Sequence, residues 1–272
     1  DMILLNDSFE ALPKAFTEGQ RIINGMKDIL RLFLTRVAYA ALLIIAIGFI
    51  DLGFPFEPKH NALLVFLSVG APTLAMTVWA RPGALPRGSL LREIAHFVVP
   101  AAITVYAFGL FVYVMGVVGG TIYEQNIEIT PEVVESFRTY EGIDYDIATE
   151  DDFIREVATL TGQTALTSFL VYAGLLLVVF VEPPIKWFVG GDEFSGDWRP
   201  TGVAVLMLLV YIGILLIEPA RAFFELLILP LWAHGLIALV TLVWMLVLRA
   251  AWRGNWLERF LRVQFSASTP VT

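Results

Sequence analysis

The chain has 272 residues, of which 57% are hydrophobic and 16% are charged, and its mean hydropathy is +0.74. Because soluble globular domains carry about 25% charged residues, this composition excludes a soluble globular protein and indicates a membrane protein. The net charge is -8, and a chain without cysteine can form neither a disulfide nor a thiolate metal site. No feature of the sequence indicates a nucleic-acid partner.

A membrane-spanning helix needs about 20 apolar residues to cross about 30 Å of hydrocarbon. Six segments meet this requirement: residues 32–49, 61–80, 97–118, 162–181, 201–217 and 228–248. The predicted fold class is an all-α polytopic membrane protein with six transmembrane helices, a stalk helix and a small acidic extracytoplasmic loop domain. The lipid bilayer is its first expected partner.

The basic residues predict the orientation of these spans. Of the 18 Lys and Arg residues, four fall on the side opposite the N-terminus and the remaining 14 on its own side. The four are Lys59, Arg138, Arg155 and Arg221. Because basic residues concentrate on the cytoplasmic side, we expect a multi-pass protein of the plasma (inner) membrane with both termini in the cytoplasm.

The N-terminal residues predict a rigid connection into the membrane. Residues 2–5 have the pattern of a short apolar strand with no partner strand nearby, so we expect the chain to be a piece of a longer protein. Ser8 is a predicted N-cap for an amphipathic stalk helix. After Gly25 no Gly or Pro interrupts the passage of this helix into the first span. Such a helix could carry movement from a soluble domain into the bilayer.

Two stretches carry a family resemblance. Leu4-Leu-Asn-Asp-Ser-Phe-Glu-Ala-Leu-Pro13 is followed by Glu18-Gly-Gln-Arg-Ile-Ile-Asn24 and then by a span. This pattern resembles the join between the phosphorylation domain and the fifth transmembrane helix of bacterial P-type (P2-like) cation-transporting ATPases, although Gln20 stands where that family often has Arg. The alternative is a generic juxtamembrane amphipathic helix.

The resemblance implies that the six spans are the fifth to tenth helices of an ATP-driven cation pump, a translocase. Its ATP hydrolysis would use magnesium and an aspartyl phosphate formed in an upstream domain, and its other partners would be an inorganic cation and the missing phosphorylation and nucleotide-binding domains. The phosphorylation motif Asp-Lys-Thr-Gly-Thr is absent from the sequence. We therefore expect no catalytic residue and no cofactor in this chain. The alternative is a non-catalytic six-helix scaffold or accessory subunit.

The second span contains the predicted cation site. Pro72 removes an intrahelical hydrogen bond and should leave the Ser68 carbonyl unpaired beside Gly70. The oxygen atoms of Ser68, Thr73 and Thr77 suit a hard cation. The resemblance agrees, because the sixth helix of the family is interrupted and carries cation ligands. The candidate cation-binding residues are Ser68, Pro72, Thr73, Thr77, Thr35 and Tyr39. An ordinary proline kink is the alternative, and no acidic residue in either span identifies the metal.

The remaining segments carry weaker signals. The secondary cation-binding candidates are Gln163, Thr167 and His234, for which helix packing is the alternative. The predicted division of the chain is 1–30 (end of a phosphorylation domain and stalk), 31–118 (three spans), 119–160 (acidic loop), 161–249 (three spans) and 250–272 (a cytoplasmic amphipathic tail with Trp252, Trp256 and Phe260). The loop could concentrate cations or simply be a solvated acidic segment.

Overall fold

The structure is a computed structural model. It describes residues 11–50, 53–82, 89–124, 150–191 and 194–256, together with 130, 133, 135, 137 and 259. Within these residues the secondary structure is helical and contains no strand. The predicted strand at 2–5, the N-cap at Ser8, most of the acidic loop and the tail residue Phe260 lie outside the described residues.

Eight α-helices are described: α1 (Ala11–Ile50), α2 (Pro58–Val65), α3 (Ala71–Trp79), α4 (Leu90–Glu124), α5 (Glu150–Val181), α6 (Arg199–Leu216), α7 (Glu218–Phe223) and α8 (Leu231–Arg253). A π-helical turn at Phe66–Gly70 joins α2 to α3 into one span. A short 3-10 helix, Lys186–Phe188, lies between α5 and α6.

These helices form the six predicted spans. Each of α1, α2–α3, α4, α5, α6 and α8 is long and apolar enough to cross a bilayer. The predicted fold class, an all-α polytopic membrane protein, is confirmed. Most spans extend beyond their predicted ends, most of all α1, because its amphipathic stalk and its apolar half form a single helix of 40 residues.

Helix α5 is the centre of the bundle. It packs against α1, α2, the π turn, α4, α6 and α8. Its side chains are almost completely buried from Val157 to Val181, whereas the other spans each leave an apolar face exposed to the surroundings. In a bundle organised around one helix, the central helix is enclosed and the surrounding helices expose apolar faces to the lipid.

Small residues bring α4 and α5 close together. Gly116 lies against Gly162, and Gly120 lies against Ala158 one turn away, so the two helices run antiparallel with their backbones in contact. Because lipid tails are as apolar as the side chains, helices in a membrane associate through such close packing.

The bundle has two polar ends. Lys59 and Glu225 lie at one end, called here the Lys59 end, and Arg81 and Asp197 lie at the other, the Arg81 end. At the Lys59 end, Phe153 of α5 packs edge-on against Phe137 at 5.7 Å between ring centroids. Phe137, from the segment between α4 and α5, therefore packs onto the first turns of α5.

Trp252, assigned from the sequence to the amphipathic tail 250–272, belongs to the last span. Helix α8 continues through it, and only 1% of its surface is exposed. Its ring packs against Phe97 and Phe180 at centroid distances of 4.8 and 5.1 Å. Close packing against Gly191 leaves no room for a larger residue there, so burial against this backbone outweighs surface anchoring.

Candidate functional site

The second span is interrupted by a π turn. The N–H of Ala71 donates to the carbonyl of Phe66 five residues earlier, and Pro72 occupies the first turn of α3. A proline is tolerated at the start of a helix, and a π turn placed before it absorbs the missing hydrogen bond. The sequence predicted a break at this point; the structure shows that the break is a widened helical turn rather than an unwound segment.

The hydroxyls of the second span bond to its own backbone. Ser68 Oγ donates to the Leu64 carbonyl at 2.5 Å, Thr73 Oγ1 to the Gly70 carbonyl at 3.1 Å, and Thr77 Oγ1 to the Thr73 carbonyl at 2.8 Å. Ser68, Pro72 and Thr73 are buried, whereas Thr77 is exposed. Each hydroxyl has used its proton, so each oxygen keeps lone pairs that can accept a bond or coordinate a cation.

Ser68 packs tightly on the central helix. The backbone of α5 passes so close at Gly174 that a methyl group there would overlap the Ser68 side chain. The two residues come from segments more than a hundred positions apart. Their contact fixes the position of the π turn against the helix that holds the bundle together.

Helix α1 brings two more candidates to the same region. Thr35 and Tyr39 are both buried, and Thr35 Oγ1 donates to the Arg31 carbonyl at 2.7 Å. Helix α1 packs against α3 and the π turn. The structure therefore places the helices of all six primary candidates in contact, with every described hydroxyl bond of Ser68, Thr73, Thr77 and Thr35 going to its own helix.

Arg36 lies beside these candidates, and sequence reasoning missed its importance. It is 14 residues from Ile50 and 11 from Gly25, which lies against Ala80 at the Arg81 end. These separations are about 21 and 17 Å along the helix, so the backbone of Arg36 is well inside α1, while its side chain reaches the first turn of α2. Its Nη2 donates to Asn61 Oδ1 at 2.6 Å. Arg36 is therefore a fixed positive charge beside Thr35 and Tyr39, the two candidates on its own helix.

The secondary candidates come from two helices, with Gln163 and Thr167 one turn apart on α5 and His234 on α8. Gln163 of α5 is buried, and its Nε2 donates to the Phe54 carbonyl at 2.7 Å. Thr167 is fully buried, and its hydroxyl has no partner among the described residues. His234 is half-buried on α8, a helix that packs on α4 and α5. The described hydrogen bonds of Gln163 go to residues that precede α2 and not to the π turn.

Thr164 and Ser168, two polar neighbours of Gln163 on α5, form hydrogen bonds to other parts of the bundle. Thr164 Oγ1 accepts from the Leu227 N–H at 3.2 Å. Ser168 Oγ donates to the Thr164 carbonyl at 2.9 Å and lies 2.7 Å from the Tyr211 hydroxyl, which therefore donates to it. Thr164 and Ser168 therefore contribute to helix packing.

The candidate site is made of neutral oxygen atoms. Among the described residues there is no group of three or more His, Asp or Glu side chains that could hold a metal ion. Hydroxyl and carbonyl oxygens suit hard cations such as Na⁺, Mg²⁺ or Ca²⁺. With Arg36 nearby, a divalent cation would need negative charge from elsewhere to offset the repulsion.

The Arg81 end carries a strongly paired carboxylate. Asp197 accepts from Arg199 Nη2 at 2.7 Å, and Arg81 Nη2 lies 2.8 Å from the same carboxylate oxygen. Hydrogen bonds from Arg199, assisted by the charge of Arg81, lower the pKa of Asp197 to about 2. The carboxylate is therefore ionised throughout the physiological range and fastens the turn after α3 to the start of α6.

Comparison with known proteins gives a partial match. No family model matches the chain. Three curated relatives, the calcium-transporting ATPases CtpE of Mycobacterium bovis, Mycobacterium tuberculosis and Mycolicibacterium smegmatis, are each 30% identical over 87 residues. The match covers 28% of this chain and spans 11% of the length of each relative. Part of this membrane protein is therefore similar to part of a calcium-transporting ATPase.

Proposed function

We propose that this chain is the membrane-transport portion of an ATP-driven cation pump in the plasma (inner) membrane, with both termini in the cytoplasm. In the full-length protein, upstream phosphorylation and nucleotide-binding domains would use ATP and magnesium to form an aspartyl phosphate. The observation that carries the proposal is α1, an unbroken helix of 40 residues that joins the stalk to the span beside the π turn. The partial similarity to calcium-transporting ATPases supports the same function.

The stalk half of α1 is attached to the second span. Arg21 Nη2 donates to the Val78 carbonyl at 2.9 Å, and Asn24 Nδ2 donates to the Arg81 carbonyl at 3.1 Å. Both acceptors belong to the last turn of α3 or the residues after it. A movement of the stalk would therefore pull on the helix that carries Thr73 and Thr77, which is the coupling that a pump needs.

A second attachment joins α1 to α4. Glu93 receives Lys27 Nζ at 2.6 Å and Arg31 Nη2 at 3.2 Å. Arg31 is 1% exposed, and its guanidinium lies 5.6 Å from the centroid of the Phe97 ring. Arg31 Nη1 also lies 3.4 Å from Asp28 Oδ1 on its own helix. Because Arg31 is buried, loss of Glu93 would remove the ion pair that joins its charge to α4, so this pair holds the two helices together. In the proposed pump, α1 and α4 move as one body.

The candidate site offers neutral oxygen atoms, so a bound cation would need a negatively charged ligand in addition. Ser68, Thr73 and Thr77 offer neutral oxygens, while Arg36 adds a positive charge. A transported cation would therefore bind here together with a carboxylate from a helix outside the described residues. The cation itself would be calcium if this chain shares the substrate of its partial relatives.

Arg36 is also the observation that favours a second candidate function. Arg36 is a fixed positive charge on α1 whose described partner is the neutral Asn61 and not a carboxylate, and such a charge is unfavourable for cation binding. A non-catalytic six-helix scaffold or accessory subunit has no such requirement. In that case Arg36 would serve only to bind Asn61 and hold α1 to α2.

The experiment compares hydroxyl deletions in the full-length protein. We expect Thr73→Ala with Thr77→Ala to raise the cation concentration for half-maximal ATPase activity about tenfold, the effect of losing roughly 1.4 kcal/mol of binding. Thr121→Ala is the matched control, since its hydroxyl makes the same kind of bond to its own helix, 2.9 Å to the Val117 carbonyl on α4. If the double variant and the control have the same cation dependence, the assignment of Thr73 and Thr77 to the cation site is wrong. If the unsubstituted protein has no cation-stimulated ATPase activity, the scaffold is the favoured function.

A further inference from the structure

A fully buried histidine at the Lys59 end has an unused nitrogen. His60 is 0% exposed, and its Nε2 lies 3.1 Å from the Glu225 carbonyl oxygen. A carbonyl only accepts, so Nε2 carries the proton and Nδ1 of the neutral ring presents a lone pair. Among the described residues, Nδ1 has no hydrogen-bonding partner. A buried acceptor without a partner is rare in folded proteins and calls for an occupant.

A second unused polar atom lies at the same level on α5. Glu57 bonds to Gln163 and Ser68 packs on Gly174, so the second span runs beside α5 with a constant offset of 106 positions. His60 is therefore level with Leu166, the chain neighbour of Thr167. Thr167 is 0% exposed, and its Oγ1 also has no partner among the described residues. Threonines and serines in helices usually bond to the carbonyl four residues earlier, as Thr161 and Ser168 do on this same helix. Thr167 does not use this alternative. Its proton is therefore available to another acceptor.

His60 and the face of α5 that carries Thr167 both bond to the connector between α7 and α8. His60 binds the carbonyl of Glu225, and the N–H of Leu227 two residues later donates to Thr164 at 3.2 Å. Thr164 and Thr167 are three positions apart on α5 and so share one face of the helix. The residues that carry the unpaired acceptor and the unpaired donor therefore lie at one level of the bundle, beside the same connector.

This region connects to the surface through a charged pair. Glu225 is 3% exposed and receives Lys59 Nζ at 2.6 Å, while the Lys59 side chain is 33% exposed. Glu225 adopts a left-handed backbone conformation with φ of 55°, which is uncommon for a residue other than glycine. Polar groups thus lead from the solvent-accessible ammonium of Lys59 inward to His60.

We propose that water occupies a site between His60 Nδ1 and Thr167 Oγ1 and exchanges with solvent at the Lys59 end. The Thr167 hydroxyl donates to the water oxygen, and the water donates to Nδ1, so both unpaired groups are satisfied. Thr167 is seven residues, about 10 Å of helix rise, from Gly174, which packs on Ser68. The water site therefore lies about two helical turns of α5 from the π turn. The site requires neither ATP nor a cation and so goes beyond the proposed pump.

The absence of native cysteine allows a direct test. Single-cysteine variants Thr167→Cys and Val171→Cys, both at fully buried positions one turn apart on α5, are compared in the whole chain in nanodiscs. A charged methanethiosulfonate reagent reacts with the thiolate, which forms only where water reaches the sulfur. We expect Thr167→Cys to react at least tenfold faster than Val171→Cys. Equally slow reaction of the two folded variants would overturn the proposal.

A second measurement on the unsubstituted chain covers the case in which Thr167→Cys fails to fold. Solid-state NMR of ¹⁵N-histidine-labelled protein should show His60 with its proton on Nε2 and magnetisation transfer from water to Nδ1, with the signal assigned by its loss in His60→Gln. Transfer should weaken in Thr167→Val. Absence of transfer from water to Nδ1 in the unsubstituted chain would contradict the proposal, whatever the outcome of the ATPase experiments.

Discussion

The contact between Gly174 and Ser68 gives the sharpest stability prediction. An alanine methyl at position 174 would overlap the Ser68 side chain, so α5 and the π turn would have to move apart. Overpacking of this kind costs about 1–3 kcal/mol. At about 2–4 °C per kcal/mol for a large domain, the midpoint of thermal unfolding should fall by roughly 2–12 °C.

The matched control is Gly235→Ala on α8. A methyl group added at Gly235 meets no atom within 4 Å, so the same chemical change occurs there without overlap. Alanine also favours the helix by about 1 kcal/mol over glycine. We therefore expect Gly235→Ala to unfold at the same temperature as the unsubstituted chain or slightly above it.

A double-mutant cycle identifies the cause of the loss. Ser68→Gly removes the side chain that the new methyl would meet, so Gly174→Ala should cost less in that background by at least about 1 kcal/mol. The assay is unfolding in mixed micelles followed by tryptophan fluorescence. If Gly174→Ala unfolds at the same temperature as Gly235→Ala, or if Ser68→Gly does not reduce the loss of stability, α5 and the π turn are not in close contact at Gly174.

Two further predictions concern charged groups. Because the folded-state pKa of Asp197 is lowered to about 2, its ion pairs stabilise the fold fully above its unfolded pKa of about 4, and this contribution is lost as the pH falls from about 4 to 2. Asp197→Asn should therefore lower stability by about 1 kcal/mol at pH 5–8 and by less at each step below pH 4, as checked by unfolding at several pH values; a constant difference down to pH 2 would contradict the pairing. In the full-length protein, Arg36→Gln should increase cation affinity about tenfold by removing roughly 1.4 kcal/mol of repulsion, as checked by the cation dependence of ATPase activity, whereas a loss of affinity would show that Arg36 helps to form the site.

Much of the fold was predictable because it depends on local composition. Six windows of apolar length predicted the six spans, and the absence of a break after Gly25 predicted one helix through stalk and membrane. The central position of α5 was not predictable from hydropathy, because all six spans are similarly apolar. Enclosure depends on which helices pack together, and the polar residues between Gln163 and Ser168 were its one local sign.

The site was predictable only in part. Pro72 indicated a break in the second span, but proline alone does not determine whether the helix unwinds or widens into a π turn. The bonds from Arg36 to Asn61 and from His60 to Glu225 join residues 25 and 165 positions apart. Such pairs are set by tertiary packing, and no periodicity in a single sequence reports them. That Ser68, Thr73 and Thr77 bind a cation stays a prediction.

The measurement that tests the central proposal most directly is ATP-driven cation uptake by the full-length protein in sealed vesicles, with calcium assayed first. We expect uptake to require ATP and magnesium and to be accompanied by a phosphoenzyme that hydroxylamine cleaves, as it does an acyl phosphate. We also expect Thr73→Ala with Thr77→Ala to shift the cation dependence of uptake while Thr121→Ala does not. A full-length protein that forms no phosphoenzyme and moves no cation would contradict the pump and leave the six-helix scaffold as the function of this chain.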